Sequence, residues 1–202
     1  MFLLFMRSAK PVLCLLVWIS QWMFLWLIMG VELGMAQSAG VQEGELRFVK
    51  DYYQYIRQKI TREEYYLYEQ VLNTFKNRVP ETGQWVQSHE RYFFSYTDAG
   101  TTLLRAVMIR QEREGLLRYE EFVFDNDEAL IFYSEGNTPV EASPKRLLKI
   151  YFVGLRLLDW ENAQGQDQTA GVMIADKSAQ VMERAMQLKE KFALQQHYFK
   201  DF

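Results

Sequence analysis

Residues 120–136 read EEFVFDNDEALIFYSEG, and this stretch decides the fold. Two apolar runs, Phe122–Phe124 and Leu130–Tyr133, lie on either side of the polar group Asp125–Glu128. Aspartate and asparagine tolerate the left-handed backbone of a turn and bond their own main chain. The stretch therefore predicts a β-hairpin with an acidic tip.

The same plan of apolar run, turn and apolar run occurs twice more in the chain. Residues 91–109 carry it across the turn residues 97–100, and residues 145–160 carry it across a Val-Gly pair at 153–154. Three successive hairpins predict an antiparallel meander of about six strands. The charged stretch Arg110–Gly115 fits a connection between two hairpins.

Helical periodicity flanks the predicted meander. Apolar residues recur every three or four positions over residues 43–60 and again over residues 176–196. This spacing predicts an amphipathic helix at each end, with Asp176 or Ser178 capping the second. We therefore predict an α+β fold in which both terminal helices pack on one face of the sheet.

Residues 62–79 suit either a helix or a strand. Thr61 and Glu64 have the spacing of a capping box, which favours a helix. The run Tyr65–Tyr68 has the composition of a strand. The balance favours a helix slightly.

The first 36 residues are typical of a secretory signal peptide. Arg7 and Lys10 precede an almost wholly apolar stretch over residues 11–30, and Gly34-Met35-Ala36 supplies the small residues of a cleavage site. We therefore expect cleavage after Ala36, leaving residues 37–202 as one exported domain, periplasmic or extracellular. The alternative is an uncleaved signal anchor, because about 20 apolar residues span a bilayer. Such an anchor is the one membrane contact that we predict.

Composition excludes several classes of protein. The net charge is −3 with basic and acidic residues interspersed, so the chain lacks the basic footprint of a nucleic-acid-binding protein. Its one cysteine, Cys14, lies in the predicted signal peptide, and His89 and His197 are far apart, which argues against a zinc site. The acidic tip over residues 125–128 lacks the ligand spacing of a calcium loop, and no glycine-rich phosphate loop occurs. We predict neither a metal nor a cofactor.

Aromatic residues crowd the predicted strands and supply the candidate binding site. Because side chains alternate along a strand, half of these rings face the helices and half face the other side. An open, aromatic-lined sheet face suits an apolar small molecule or a protein partner, and the alternative is an aromatic-rich core. The candidate residues are Tyr92, Phe94, Tyr96, Phe122, Phe124, Tyr151 and Trp160.

These observations favour an exported, non-catalytic binding or interaction module. One alternative is an exported hydrolase, because two strand-borne carboxylates about 5 to 9 Å apart can cleave a glycosidic bond. The other alternative is a signal-anchored accessory subunit of an envelope complex. The candidate carboxylates for the hydrolase are Glu120, Glu121, Asp159 and Glu161.

Overall fold

The structure, a computed structural model, describes residues 41–78, 84–139, 148–163 and 170–199. A helix lies at each end of an antiparallel meander, so the predicted α+β fold is confirmed. The predicted signal peptide lies outside the described residues. Within the described ranges, no helix is both long enough and apolar enough to cross a membrane.

In the described ranges the elements follow one another as helix, seven strands and helix. Helix α1 spans residues 41–61, and helix α2 spans Ala170–Phe199. The chain divides at Gly44 into two compact units, and all the strands belong to the second unit, Glu45–Phe202. In spatial as well as chain order the strands are β1 (Tyr66–Leu72), β2 (Gln87–Tyr96), β3 (Thr102–Arg113), β4 (Leu116–Phe124), β5 (Leu130–Pro139), β6 (Leu148–Val153) and β7 (Arg156–Asn162).

All three predicted hairpins are present, as β2–β3, β4–β5 and β6–β7. The first two turns have the same hydrogen bonds, with Thr97 N donating to Thr101 O at 2.7 Å and Asp125 N donating to Ala129 O at 3.0 Å. This shared turn explains the repeated sequence plan. Over the described residues the sheet has seven strands rather than about six, because β1 adds one strand before the hairpins.

The composition of Arg110–Gly115 predicted a connection between two hairpins, but most of this charged stretch belongs to a strand. Its first four residues extend β3 to Arg113, and Glu114 and Gly115 alone reverse the chain. Their φ angles are 47° and 87°. Two successive residues with positive φ form the turn that matches the twist of a tight hairpin. Charged residues are tolerated in β3 because this end of the strand reaches solvent.

The slight preference for a helix over residues 62–79 is wrong, since β1 lies there. Helix α1 ends at residue 61, and Glu63 then takes a left-handed φ of 57°. The Thr61 hydroxyl donates to Arg57 O at 2.9 Å, so Thr61 closes α1 rather than capping a new helix. The segment that follows is a strand because it pairs along its whole length with the aromatic run of β2.

The two helices pack on opposite faces of the sheet, so the prediction that both pack on one face is wrong. Large apolar residues occupy alternate positions on both sides of the strands, and each face therefore needs its own cover. On one face α1 contributes Val49 and Ile56 to a cluster with Phe93, Ala106, Val123, Ile131, Phe132, Tyr151 and Leu158. On the other face α2 contributes Ile174, Val181, Ala185, Leu188 and Phe192 to a larger cluster.

Both helices have slightly wider bounds than the periodicity predicted. Helix α2 begins at Ala170, so Asp176 and Ser178 lie inside it and neither caps its start. The Ser178 hydroxyl instead donates to Ala175 O at 2.7 Å, within the helix.

Candidate ligand-binding groove

Helix α2 covers most of the aromatic residues proposed from the sequence. Four of the seven lie in the core beneath α2, none more than 9% exposed: Tyr92, Phe94, Phe122 and Phe124. Tyr151 is buried on the opposite face, in the α1-side cluster. Trp160 is partly buried, and Tyr96 is half exposed at the end of β2. The seven rings therefore do not form one open surface, and most of them are core.

An open groove of about 460 Å³ lies alongside α1, on the face of the sheet opposite α2. Its floor crosses β1 to β5, because α1 covers the neighbouring apolar positions and leaves these positions open. Two adjacent cross-strand rows form the floor. The first row is Glu69, Arg91, Met108, Glu121 and Ser134, and the second is His89, Arg110, Tyr119 and Gly136.

Arg57 of α1 forms one wall of the groove. Its Nη1 lies 3.2 Å from Glu121 Oε1 and 3.6 Å from the sulfur of Met108. The Glu121 side chain is only 8% exposed, and a buried carboxylate of this kind requires a paired cation or hydrogen bonds. The Ser134 hydroxyl adds a contact of 3.4 Å to Glu121. Glu121 therefore holds the Arg57 guanidinium above the floor.

The other side of the groove carries more cations than anions. Glu69 lies 3.8 Å from Arg91 Nε and 3.7 Å from His89 Nδ1, so one carboxylate serves both side chains. Arg110 lies opposite His89 in the β2–β3 register and is exposed. Among the described residues it has no ion pair or hydrogen bond. A guanidinium with free donors is the group that binds carboxylate or phosphate best.

Apolar atoms complete the floor beside this cation. Met108 lies in the first row, and Tyr119 pairs with Arg110 on one side and with Gly136 on the other. Gly136 is buried and, having no side chain, contributes only backbone atoms to the floor beside Tyr119. The groove thus joins an apolar patch to an uncompensated positive charge.

The structure keeps the predicted catalytic carboxylates of β4 apart from those of β7. Asp159 and Glu161 do share one face of β7, but Glu161 is paired with two lysines. Glu120 and Glu121 are adjacent on β4 and therefore point to opposite faces of the sheet. Asp159 and Glu161 lie on β7, three strands away from β4. At about 4.8 Å per strand that separation is about 14 Å, beyond the range for a carboxylate pair that cleaves a glycosidic bond.

Glu161 is instead part of an ion cluster that fastens α1 to the sheet. Lys149 Nζ lies 2.6 Å from its Oε2, and Lys50 Nζ of α1 lies 2.9 Å from its Oε1. The Tyr151 hydroxyl donates to it at 3.0 Å. The hydrogen bond from Lys149, with those from Lys50 and Tyr151, lowers the pKa of Glu161 to about 2.

Glu120 belongs to a second cluster, on the α2 side. The Tyr133 hydroxyl lies 3.1 Å from Glu120 and 2.8 Å from Glu135, and Arg118 contacts both carboxylates. Burial raises the pKa of Glu135, but hydrogen bonds from Lys177 and Tyr133 outweigh it and leave that pKa below its ordinary value. A general acid needs a raised pKa, so Glu135 is better suited to holding Lys177 of α2 than to proton transfer.

The acidic tip of residues 125–128 is a turn, as predicted. Asp125 Oδ1 accepts hydrogen bonds from the backbone N–H groups of Asp127 and Ala129, both at 2.9 Å. Glu128 Oε1 accepts one from Leu104 N at 2.8 Å. The carboxylates of Asp125 and Glu128 thus accept hydrogen bonds from backbone N–H groups. In the part of the chain that the structure describes, no group of three or more metal-ligating side chains is found.

Comparisons of the chain with protein-family models, with curated proteins and with solved structures find no match.

The groove was not among the sequence predictions, although the sequence carries a weak signal for it. Arg91 and Glu121 are polar residues at strand positions whose neighbours two residues further on, Phe93 and Val123, are core. Polar residues that interrupt the apolar alternation of a strand mark the point beyond which no helix covers that face of the sheet. The pairing registers that align these positions into rows are a property of the assembled sheet.

Proposed function

We propose that the protein is an exported, non-catalytic binding module that holds a ligand with an apolar body and one anionic group in the groove. The observation that carries the proposal is the exposed Arg110 beside the apolar floor of Met108 and Tyr119. An anionic group on Arg110 places the rest of such a ligand over this floor, against the wall formed by Arg57.

The size of the groove supports a small-molecule ligand. Ligand sites in proteins are concave, about 300 to 1,000 Å³, and mostly apolar with a few placed polar groups. The groove, at about 460 Å³, lies in this range. Three arginines and four glutamates line the groove. Glu121 pairs with Arg57, Glu69 lies beside Arg91, and Glu120 and Glu135 both pair with Arg118, so Arg110 is the arginine of the lining that is left for an anion.

Direct titration tests this function. Naphthalene-2-carboxylate supplies an apolar body with one carboxylate, and naphthalene-2-methanol has the same body without charge. We expect calorimetry to show that the carboxylate binds at least ten times more tightly than the alcohol, because only the carboxylate pairs with Arg110. Arg110→Gln should weaken carboxylate binding by at least tenfold and leave alcohol binding unchanged.

Arg113→Gln is the matched control, because Arg113 is also an exposed arginine of β3 but does not line the groove. Equal binding of the acid and the alcohol contradicts the proposal. Equal losses in the Arg110 and Arg113 variants contradict it as well.

The export part of the proposal is supported by the sequence of residues 1–36, with its basic start, apolar stretch and Gly34-Met35-Ala36 site. The intact mass of the protein recovered from its native host tests it. A mass that begins at Gln37 supports cleavage and export. A full-length mass in the membrane fraction contradicts cleavage and favours the signal-anchored accessory subunit.

A further inference from the structure

Strand β1 is an outer strand of the sheet, and among the described residues no strand pairs with its outer edge. Backbone N–H and C=O groups along such an edge remain open to another strand. Five of the seven residues of β1 are exposed, and four of these five are apolar or aromatic. Exposed Phe75, Val86 and Tyr96 lie in or beside the segments that adjoin β1 and extend its apolar character.

The devices that protect sheet edges are missing from β1. It contains one charge, Glu69, no proline and no lysine, and its pairing with β2 has no bulge. The opposite edge strand, β7, does carry charged side chains, and these form ion pairs with α1. Arg156 pairs with Glu45 at 2.6 Å, and Glu161 pairs with Lys50 at 2.9 Å, both across to α1. One edge of the sheet is therefore protected by charged, paired side chains, and the other edge is apolar and exposed.

Glu69 restricts the register in which two copies of β1 can pair. Two identical antiparallel strands pair about a twofold axis that passes between two copies of one residue. An axis at Glu69 sets two carboxylates directly opposite each other, which is destabilising. An axis at Gln70 instead sets Glu69 opposite Val71 of the second copy and Tyr68 opposite Leu72 of the second copy.

Gln70 has the side chain that suits a twofold axis, because a primary amide both donates and accepts hydrogen bonds. Its Oε1 is enclosed without a hydrogen-bond partner among the described residues, although the residue as a whole is only half buried at the edge. Rotation of the side chain toward the second copy lets each amide donate to the other. This contact satisfies the oxygen that the single chain leaves unpaired.

We propose that two copies of this chain associate through β1, antiparallel and centred on Gln70, to form one continuous sheet of fourteen strands. The twofold axis is perpendicular to the sheet, so both grooves open on the same face. Glu69, which lines the groove, then lies close to the interface in each copy.

Disulfide trapping in the full-length chain, kept in a mild detergent, tests this arrangement. Cys14 is the one native cysteine, so Cys14→Ser provides a cysteine-free background. Gln70→Cys in that background places two thiols across the axis, where opposite Cβ atoms lie about 4.5–5.5 Å apart, near the span of a disulfide. We expect most of this variant to form a disulfide-linked dimer on mild oxidation, measured by intact mass.

Leu155→Cys, in the exposed β6–β7 turn, is the control and should remain largely uncrosslinked. A second pair of variants tests association itself by sedimentation. Val71→Glu sets a carboxylate opposite Glu69 of the second copy and should raise the dissociation constant at least tenfold, whereas Leu155→Glu makes the same kind of change far from β1 and should not. Thermal melts of both glutamate variants establish that each is folded.

Three results overturn the proposal. Equal crosslinking of the Gln70→Cys and Leu155→Cys variants shows random collision. A wild-type chain that sediments as a monomer at about 100 μM, well above the micromolar range of specific association, shows that the edge is not used. A ladder of higher oligomers shows pairing of β1 with β7, because such a head-to-tail contact does not close.

Discussion

Replacement of Arg57 by methionine tests whether Glu121 depends on the groove wall. Methionine keeps an apolar stem of similar length but removes the guanidinium that lies 3.2 Å from Glu121. Because the Glu121 side chain is 8% exposed, water does not replace the lost partner. Breaking a fully buried pair costs about 3–5 kcal/mol. Since Arg57 is itself 35% exposed, we expect a loss of about 2 kcal/mol at pH 7.

Urea unfolding measures the free energy of unfolding of each variant, and thermal melts should rank the variants in the same order. For a domain of this size 1 kcal/mol corresponds to about 3 °C, so the melting temperature should fall by about 6 °C. The matched control is Arg47→Met, on the solvent side of α1, where the pair with Asp51 spans 4.0 Å and both side chains are exposed. That change should cost less than about 0.5 kcal/mol.

A double-mutant cycle isolates the interaction itself. Glu121→Gln removes the charge, so Arg57→Met should cost at least about 1 kcal/mol less in that background than in the wild type. A coupling free energy near zero refutes the reasoning. Equal losses from the Arg57 and Arg47 changes refute it too, and either result leaves apolar packing as what holds α1 at the groove.

Four further substitutions have expected effects on stability. Glu161→Gln should lower the free energy of unfolding by about 1 kcal/mol at pH 7, a figure reduced for the exposure of the side chain. The hydrogen bond from Lys149, with those from Lys50 and Tyr151, lowers the folded pKa of Glu161 to about 2 from 4.5, so the stabilities of wild type and variant in urea unfolding should converge as the pH falls from 4.5 to 2. A difference that stays constant over this pH range contradicts the prediction. Gly115→Ala should destabilise the protein by about 1 kcal/mol, because Gly115 has a φ of 87°. Gly44→Ala, inside α1, should stabilise the protein by a similar amount. Melting temperatures that shift in the same direction in calorimetry contradict this backbone argument. Phe122→Ala should cost about 3–5 kcal/mol, because the ring is fully buried beneath α2, and a loss below about 1 kcal/mol in urea unfolding excludes that packing.

The sequence by itself determined the features that are settled by neighbouring residues. The hairpin of residues 120–136 depends on hydrogen bonds within its own turn, from Asp127 and Ala129 to Asp125. The two helices follow from apolar spacing along a single segment. The α+β class and the three hairpins could therefore be predicted, whereas the sequence left open whether the strand rings form a core or an open face.

The tertiary structure alone decided the rest, because those features depend on residues far apart in the chain. Strand β1 exists because β2 offers it a full register of partners, which outweighs a local preference for helix. The helices divide between the two faces because both faces of the strands are apolar, and alternation does not state which helix covers which face. The groove arises where the pairing registers of the sheet and the packing of α1 bring together Arg57, Arg110 and Glu121 from three elements. Pairing register is a non-local quantity, and a shift of one residue in a strand sends its side chains to the opposite face.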